Sequence, residues 1–73
     1  GSLEKAAKKY EEAANWDKND STTPFNLLKA AQVYKELGNM EKVSAITTTI
    51  IEEYPDSPEA TNSRKLQGTL AAN

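Results

Sequence analysis

Acidic side chains are the residues of this 73-residue chain whose types and spacing come closest to a catalytic arrangement. Two adjacent pairs, Glu11-Glu12 and Glu52-Glu53, have the residue type of a general acid and base. Adjacent residues of a helix point about 100° apart, so neither pair can converge on one reacting atom. The chain has no histidine and no cysteine, which removes the usual general base and the thiol nucleophile. The sequence therefore predicts no enzyme activity and no catalytic residue.

A candidate calcium loop begins in the polar segment that follows the only tryptophan. Asp17, Asn19 and Ser21 have the spacing of the first three ligand positions of such a loop. The pattern also requires glycine at its sixth position and glutamate at its twelfth, where this chain has Thr22 and Leu28. Thiolate and imidazole ligands for zinc are absent as well. The sequence predicts no metal site and no cofactor.

The charge and hydropathy of the chain argue against two classes of partner. Nine Lys and Arg residues against eleven Asp and Glu residues give a net charge of −2, without the basic patch that nucleic acid or anionic lipid requires. No apolar run approaches the roughly 18 residues needed to cross a bilayer, so we expect no membrane insertion. Gly1-Ser2 is interpreted as a cloning remnant, and the lack of cysteine leaves the cytosol and an extracytoplasmic space both open as locations.

Four segments have the apolar spacing of helices, and they are predicted near 3–16, 24–37, 40–54 and 58–70. The first has an apolar stripe at the helical period, formed by Leu3, Ala6, Ala7, Tyr10, Ala13 and Ala14. The second is expected to take Thr23 as its N-cap and Pro24 as its first helical residue. Gly38 is expected to end it, because glycine adopts the left-handed conformation at little cost.

The third segment contains a β-branched run at 46–51 whose local propensity favours a strand. Its apolar residues nevertheless recur at helical spacing, and no other segment offers a strand for pairing. We therefore predict a helix. The fourth segment is expected to begin with Ser57 as N-cap, Pro58 in the first turn and Glu59 at the positive end of the helix dipole. The fold class predicted is all-α, built from antiparallel helical hairpins.

The second and third predicted helices, with their turn, make a 34-residue unit over 24–57 that resembles the tetratricopeptide repeat. Ten residues fall at successive positions of that family's pattern: Leu27, Ala30, Ala31, Tyr34, Gly38, Met40, Val43, Thr47, Ile50 and Pro55. Val43, Thr47 and Ile50 depart from it, because the family has small, aromatic and alanine residues there. These departures all lie in the second helix of the unit.

The flanking segments resemble parts of neighbouring repeats. Residues 3–18 resemble the second helix of a partial repeat, with Ala6, Tyr10 and Ala13 at its small, aromatic and alanine positions. Residues 58–71 would then be a following first helix or a capping helix. The junction at 53–60 is similar to those of bacterial cell-envelope proteins that contain this repeat. The resemblance implies one domain over 3–73, a tetratricopeptide-like α-solenoid fragment of about four helices.

The resemblance also implies a function, that of a non-catalytic scaffold module for protein–protein interaction. A helix-lined concave surface would hold a protein or peptide partner through Phe25, Leu28, Gln32, Lys35 and Glu36. The Lys- and Asn-rich clamp by which some members grip a carboxyl terminus is not evident here. The alternative is structural self-association, a homodimer formed through exposed repeat ends.

Two aromatic residues near the first loop, Trp16 and Phe25, allow two interpretations. The favoured one buries both beneath the loop that joins the first two helices. The other places Phe25 on the concave surface, where it would contact the partner.

Overall fold

The computed structural model describes residues 1–71, which form four helices. They are α1 (Ser2–Trp16), α2 (Thr22–Glu36), α3 (Met40–Glu53) and α4 (Pro58–Ala71). The predicted all-α class is confirmed, and no strand occurs within the described residues. Each predicted helix is present, with both ends within two residues of their expected positions.

Consecutive helices pack against one another along the chain, and α2 also contacts α4. The connections between helices span only residues 17–21, 37–39 and 54–57. Such short connections turn the chain back on itself, so that each helix lies beside the one before it. The two successive reversals between α2 and α4 leave these helices running in the same direction and in contact.

The core is a single cluster of apolar side chains to which all four helices contribute. Its buried members are Ala7, Leu28, Ala30, Ala31, Tyr34, Val43, Ile46, Ile50 and Ala60. The alanines allow the helix axes to approach closely, and the branched side chains of α3 fill the space between them. Complete burial of a Val or Ile side chain contributes roughly 1.5–3 kcal/mol, so α3 supplies a large share of the stability.

The β-branched third segment is helical, as its spacing predicted. Its buried residues, Val43, Ile46, Thr47 and Ile50, lie on one side of α3. The Thr47 hydroxyl donates a 2.7 Å hydrogen bond to the Val43 carbonyl, so its polar group is satisfied inside the helix. Burial of this face outweighs the modest preference of β-branched residues for strands.

The turn between α2 and α3 is built from two residues with different tasks. Gly38 has φ = 78° and donates its N–H to the Lys35 carbonyl at 3.0 Å, as its position after the helix predicted. The Asn39 N–H donates a 2.9 Å hydrogen bond to the Tyr34 carbonyl, which satisfies another carbonyl at the end of α2. The Asn39 side chain also accepts the Lys42 N–H at 3.2 Å, so it caps the start of α3.

The predicted start of α2 is wrong. The helix begins at Thr22, so Pro24 is its third residue and Thr23 lies inside it, buried. The Thr23 hydroxyl donates to the Ala14 carbonyl at 3.2 Å and accepts the Asn19 N–H at 2.9 Å. It therefore ties α2 to the end of α1 instead of capping its own helix.

Asn19 performs the capping task predicted for Thr23. Its side-chain oxygen accepts the N–H groups of Ser21 at 2.9 Å and Thr22 at 2.7 Å. An asparagine whose side chain accepts hydrogen bonds from backbone N–H groups two or three residues later starts a turn. Here that turn lets α2 begin at Thr22, before the predicted first residue Pro24. The prediction for α4 is confirmed, because the Ser57 hydroxyl accepts the Ala60 N–H at 3.1 Å.

The residues at positions of the repeat pattern, which the resemblance implies for packing between repeats, have different exposures. Ala30, Ala31, Tyr34, Val43 and Ile50 are buried, while Ala6, Tyr10 and Leu27 are half-buried. Gly38 is exposed in its turn, and the expectation of packing is not met by Ala13, Met40 and Pro55, which are exposed.

The correction in α1 has a simple geometric reason. The alanines that α1 buries are Ala7 and Ala14, two helical turns apart and each one residue beyond the expected Ala6 and Ala13. The inward face of α1 is thus centred on Ala7 and Ala14, at one edge of the predicted stripe.

Candidate functional site

A groove between α2 and α4 contains most of the residues predicted for the concave surface. It is open to solvent, with a volume of about 710 Å³. Its α2 wall is formed by Leu28, Gln32, Lys35 and Glu36, and its α4 wall by Asn62, Lys65, Leu66 and Thr69. The structure therefore brings together four of the five residues predicted for the concave surface, and it leaves Phe25 outside the groove. We call this feature the α2–α4 groove.

Helical spacing explains why these side chains share one surface. On each helix the lining residues recur three, four and seven residues apart, which places them on one face. Three pairs of lining residues are separated by 34 positions in the sequence: Leu28 and Asn62, Gln32 and Leu66, Lys35 and Thr69. Residues of α2 and α4 that are 34 positions apart thus line the same groove.

The floor of the groove is apolar and its walls are polar. Leu28 is only 8% exposed, and Leu66 is half-buried against the core. Gln32 and Asn62 are exposed above them, and their amides can each donate and accept hydrogen bonds. This combination suits a ligand that carries both an apolar side chain and free backbone amide groups.

The charges in the groove are unbalanced in favour of lysine. Lys35 extends from α2 and Lys65 from α4, and Glu36 is the one carboxylate in the lining. Within residues 1–71, neither lysine has an ion-pair partner. The chain as a whole carries a net charge of −2, whereas lysines outnumber carboxylates in the lining of the α2–α4 groove.

The favoured prediction for the two aromatic residues is wrong, since Trp16 is 90% exposed and Phe25 is 48% exposed. Trp16 lies nine residues after Ala7, half a turn away from the inward face of α1. The loop after it packs toward α2 through Asn19 and so does not cover the indole. Phe25 lies on the surface of α2 with the Lys29 ammonium 5.5 Å from its ring centroid.

A polar network that the sequence did not reveal joins three helices. The Glu11 carboxylate of α1 accepts a 2.6 Å hydrogen bond from the Tyr34 hydroxyl of α2 and a 2.9 Å bond from the Lys42 ammonium of α3. The same ammonium lies 5.2 Å from the centroid of the Tyr34 ring. These residues are 23 and 31 positions from Glu11 in the sequence, so no local spacing could have indicated them.

The contacts of this network shift the pKa values of Glu11 and Tyr34 in opposite directions. Burial raises the pKa of Glu11, but hydrogen bonds from Tyr34 and Lys42 and the positive charges of Lys42 and Lys8 together bring that pKa below 4.5. The hydrogen bond to Glu11, burial, and the negative charges of Glu11 and Glu4 raise the pKa of Tyr34 to about 12. Near neutral pH the carboxylate is ionised and the phenol is protonated, so neither is poised to exchange a proton.

The part of the chain that the structure describes holds neither a metal-binding cluster nor a helix suited to a bilayer. No three acidic, His or Cys side chains among residues 1–71 are placed to hold an ion. None of the described helices combines the length and apolar character needed to span a membrane. Comparisons with models of protein families, with curated proteins and with solved structures find no match to this chain.

Proposed function

We propose that the chain is a non-catalytic module for protein–protein interaction, a tetratricopeptide-like scaffold fragment that binds a partner segment in the α2–α4 groove. The observation that carries this proposal is the groove itself, with an apolar floor and polar walls contributed by two helices. Four of the five residues that the resemblance implied for the concave surface line this groove. The 34-residue offset between lining residues of α2 and α4 supports the repeat interpretation.

The lining residues define the chemistry of the partner segment. An apolar side chain would lie on Leu28 and Leu66, since that floor is the only apolar part of the lining. An acidic side chain nearby would pair with Lys35 or Lys65, which have no ion-pair partner among the described residues. We therefore infer a segment that combines an apolar anchor with one or two carboxylates.

A selection from peptides of random sequence tests the proposal. Peptides are selected from a displayed library on the immobilised chain, and their affinities are measured for the unmodified chain and for the double variant Lys35→Glu/Lys65→Glu. We expect the selected peptides to share an apolar residue beside Asp or Glu. We also expect them to bind the double variant at least about tenfold more weakly.

The control variant makes the same change in charge at a site outside the α2–α4 groove. Lys5→Glu/Lys9→Glu alters two exposed lysines of α1 and should leave peptide affinity within about twofold. Leu28 is unsuitable for this test, because it is 8% exposed and its truncation would also open a cavity in the core. Equal binding of the selected peptides to the groove variant and the unmodified chain would contradict the proposal.

A further inference from the structure

The only tryptophan of the chain is the least protected of its large apolar side chains. Trp16 is 90% exposed, against 48% for Phe25, 43% for Leu3 and 39% for Met40. Tryptophan is among the residue types most enriched in side chains that dominate binding energy at interfaces. Because the indole is exposed, the folded chain alone does not gain the large favourable free energy that its burial would give.

The residues that follow Trp16 supply the other half of the chemistry that the α2–α4 groove requires. Asp17 and Asp20 follow the indole in the first loop, and both are exposed. Asp17 continues in an extended conformation, with φ = −139° and ψ = 91°. No ion pair is made by either aspartate within residues 1–71. The segment 16–20 thus presents one apolar anchor and two carboxylates, the combination inferred for the partner, with Lys18 as its one positive charge.

Trp16 cannot reach the groove of its own chain in this fold. The α1 helix packs on α2 but not on α4, and none of its residues lines the α2–α4 groove. Trp16 also points away from the inward face of α1, on which Ala7 and Ala14 are buried. An occupant of the same composition must therefore come from another molecule.

We propose that a second copy of this chain is a partner of the α2–α4 groove, with Trp16 of one copy lying on Leu28 and Leu66 of the other. In this arrangement Asp17 and Asp20 pair with Lys35 and Lys65 across the contact. The inference rests on the proposed function of the groove and adds the identity of an occupant. One side chain and a short loop bury less than the roughly 800 Å² per partner of a standard interface, so the association is transient and weakened by salt.

The single tryptophan makes the contact directly observable. Sedimentation velocity and tryptophan emission are measured from about 1 µM to about 1 mM protein at low and high salt. The expected result is a rising average mass with a blue shift of the Trp16 emission, both reduced at high salt. Trp16→Ala and Lys35→Glu/Lys65→Glu should each stay monomeric. Leu3→Ala, which removes another exposed apolar side chain of α1, should associate as the unmodified chain does.

A mixing experiment separates the two halves of the contact. Trp16→Ala retains an intact groove but has no tryptophan, while Lys35→Glu/Lys65→Glu retains Trp16 but has an altered groove. Neither variant should self-associate. When Trp16→Ala is added to Lys35→Glu/Lys65→Glu, Trp16 of the second variant should bind the intact groove of the first, and its emission should shift to the blue. Circular dichroism of both variants should match that of the unmodified chain, because all three substituted side chains are exposed.

The outcomes distinguish this inference from the proposed function. A chain that is monomeric at every concentration, while selected peptides still bind its groove, overturns the second-copy inference and leaves the groove function standing. Association that Leu3→Ala abolishes and Trp16→Ala does not would place the contact elsewhere and overturn it as well. If the groove variant changes neither self-association nor peptide binding, both proposals are wrong.

Discussion

The Tyr34 hydroxyl of α2 donates a 2.6 Å hydrogen bond to the Glu11 carboxylate of α1, across 23 positions of sequence. Lys42 of α3 bonds the other carboxylate oxygen at 2.9 Å, so one acidic side chain connects three helices. Tyr34 is itself buried on the inward side of α2. The network therefore helps to fix the position of α2, which contributes one wall of the α2–α4 groove.

The Tyr34→Phe substitution should destabilise the fold. It removes a hydrogen bond to a charged acceptor, which typically contributes about 1.5–3 kcal/mol when buried. The Glu11 side chain is 26% exposed, so water replaces part of the lost interaction and we expect a loss of about 1–2 kcal/mol. Urea unfolding at neutral pH measures it. Tyr10→Phe is the control, expected within about 0.5 kcal/mol, and an equal effect of both variants would contradict the role given to Tyr34.

The raised pKa of Tyr34 predicts a loss of stability in alkali. The ordinary value is 10.0 and the folded value is about 12, so folding favours the protonated phenol. Its contribution is fully present below pH 10 and is lost as the pH rises through 12. The free energy of unfolding, measured by urea titration across this window, should fall more steeply for the unmodified chain than for Tyr34→Phe. Parallel pH profiles for the two proteins would show that Tyr34 does not titrate as the structure indicates.

The lowered pKa of Glu11 predicts the opposite dependence in acid. The folded state favours the ionised carboxylate, so its contribution is present above the ordinary value of 4.5 and is lost as the pH falls through the lower folded value. Glu11→Gln should be less stable than the unmodified chain at neutral pH. The difference in the free energy of unfolding between the two proteins should become smaller below pH 4.5. Acid titration of both proteins in urea tests this, and a difference that stays constant with pH would refute it.

Two glycines should respond to alanine in opposite directions. Gly38 has φ = 78°, where alanine is strained, so Gly38→Ala should cost about 1–2 kcal/mol. Gly68 lies inside α4, and a Cβ there meets nothing within 4 Å, so Gly68→Ala should stabilise the fold by about 0.5–1 kcal/mol. Thermal unfolding of the pair measures both effects. A stabilising alanine at position 38 would contradict the turn described for α2 and α3.

Two buried hydroxyls, one on α3 and one on α4, should also behave differently. The Ser63 hydroxyl is buried and has no hydrogen-bond partner among the described residues, so Ser63→Ala should be neutral or stabilising. The Thr47 hydroxyl donates to the Val43 carbonyl and accepts the Gln67 amide at 3.0 Å. Thr47→Val keeps the shape and removes these bonds together with a 3.2 Å bond to the Ser44 carbonyl, so it should cost about 1–2 kcal/mol in urea unfolding. The reverse order of stabilities would contradict the assigned hydrogen bonds.

The helices could be predicted from sequence because their causes are local. Apolar spacing placed all four, and Gly38 and Ser57 gave the correct end of α2 and start of α4. The start of α2 was missed because Thr23 and Asn19 both have capping side chains, and only the contact of Thr23 with Ala14 decides between them. Local sequence carries no trace of that contact.

Only part of the candidate groove follows from the local sequence. The α2 wall of the groove follows from residues on one helical face, whereas the α4 wall depends on how two helices separated by α3 come together. Phe25 shares a predicted surface with Leu28 but lies outside the groove. The exposure of Trp16 depends on the path of the loop after it, which the Asn19 turn sets. Long-range packing, unlike helical period, leaves no signal in a single sequence.

The central claim, that the α2–α4 groove is the binding surface, is tested most directly by amide chemical shifts. The isotopically labelled chain is titrated with a peptide selected from the random library, and the shifted amides are mapped onto the structure. We predict that the largest changes cluster at Gln32, Lys35, Asn62 and Thr69, and that they disappear in Lys35→Glu/Lys65→Glu. Changes concentrated on α1, with the groove amides unshifted, would contradict the claim.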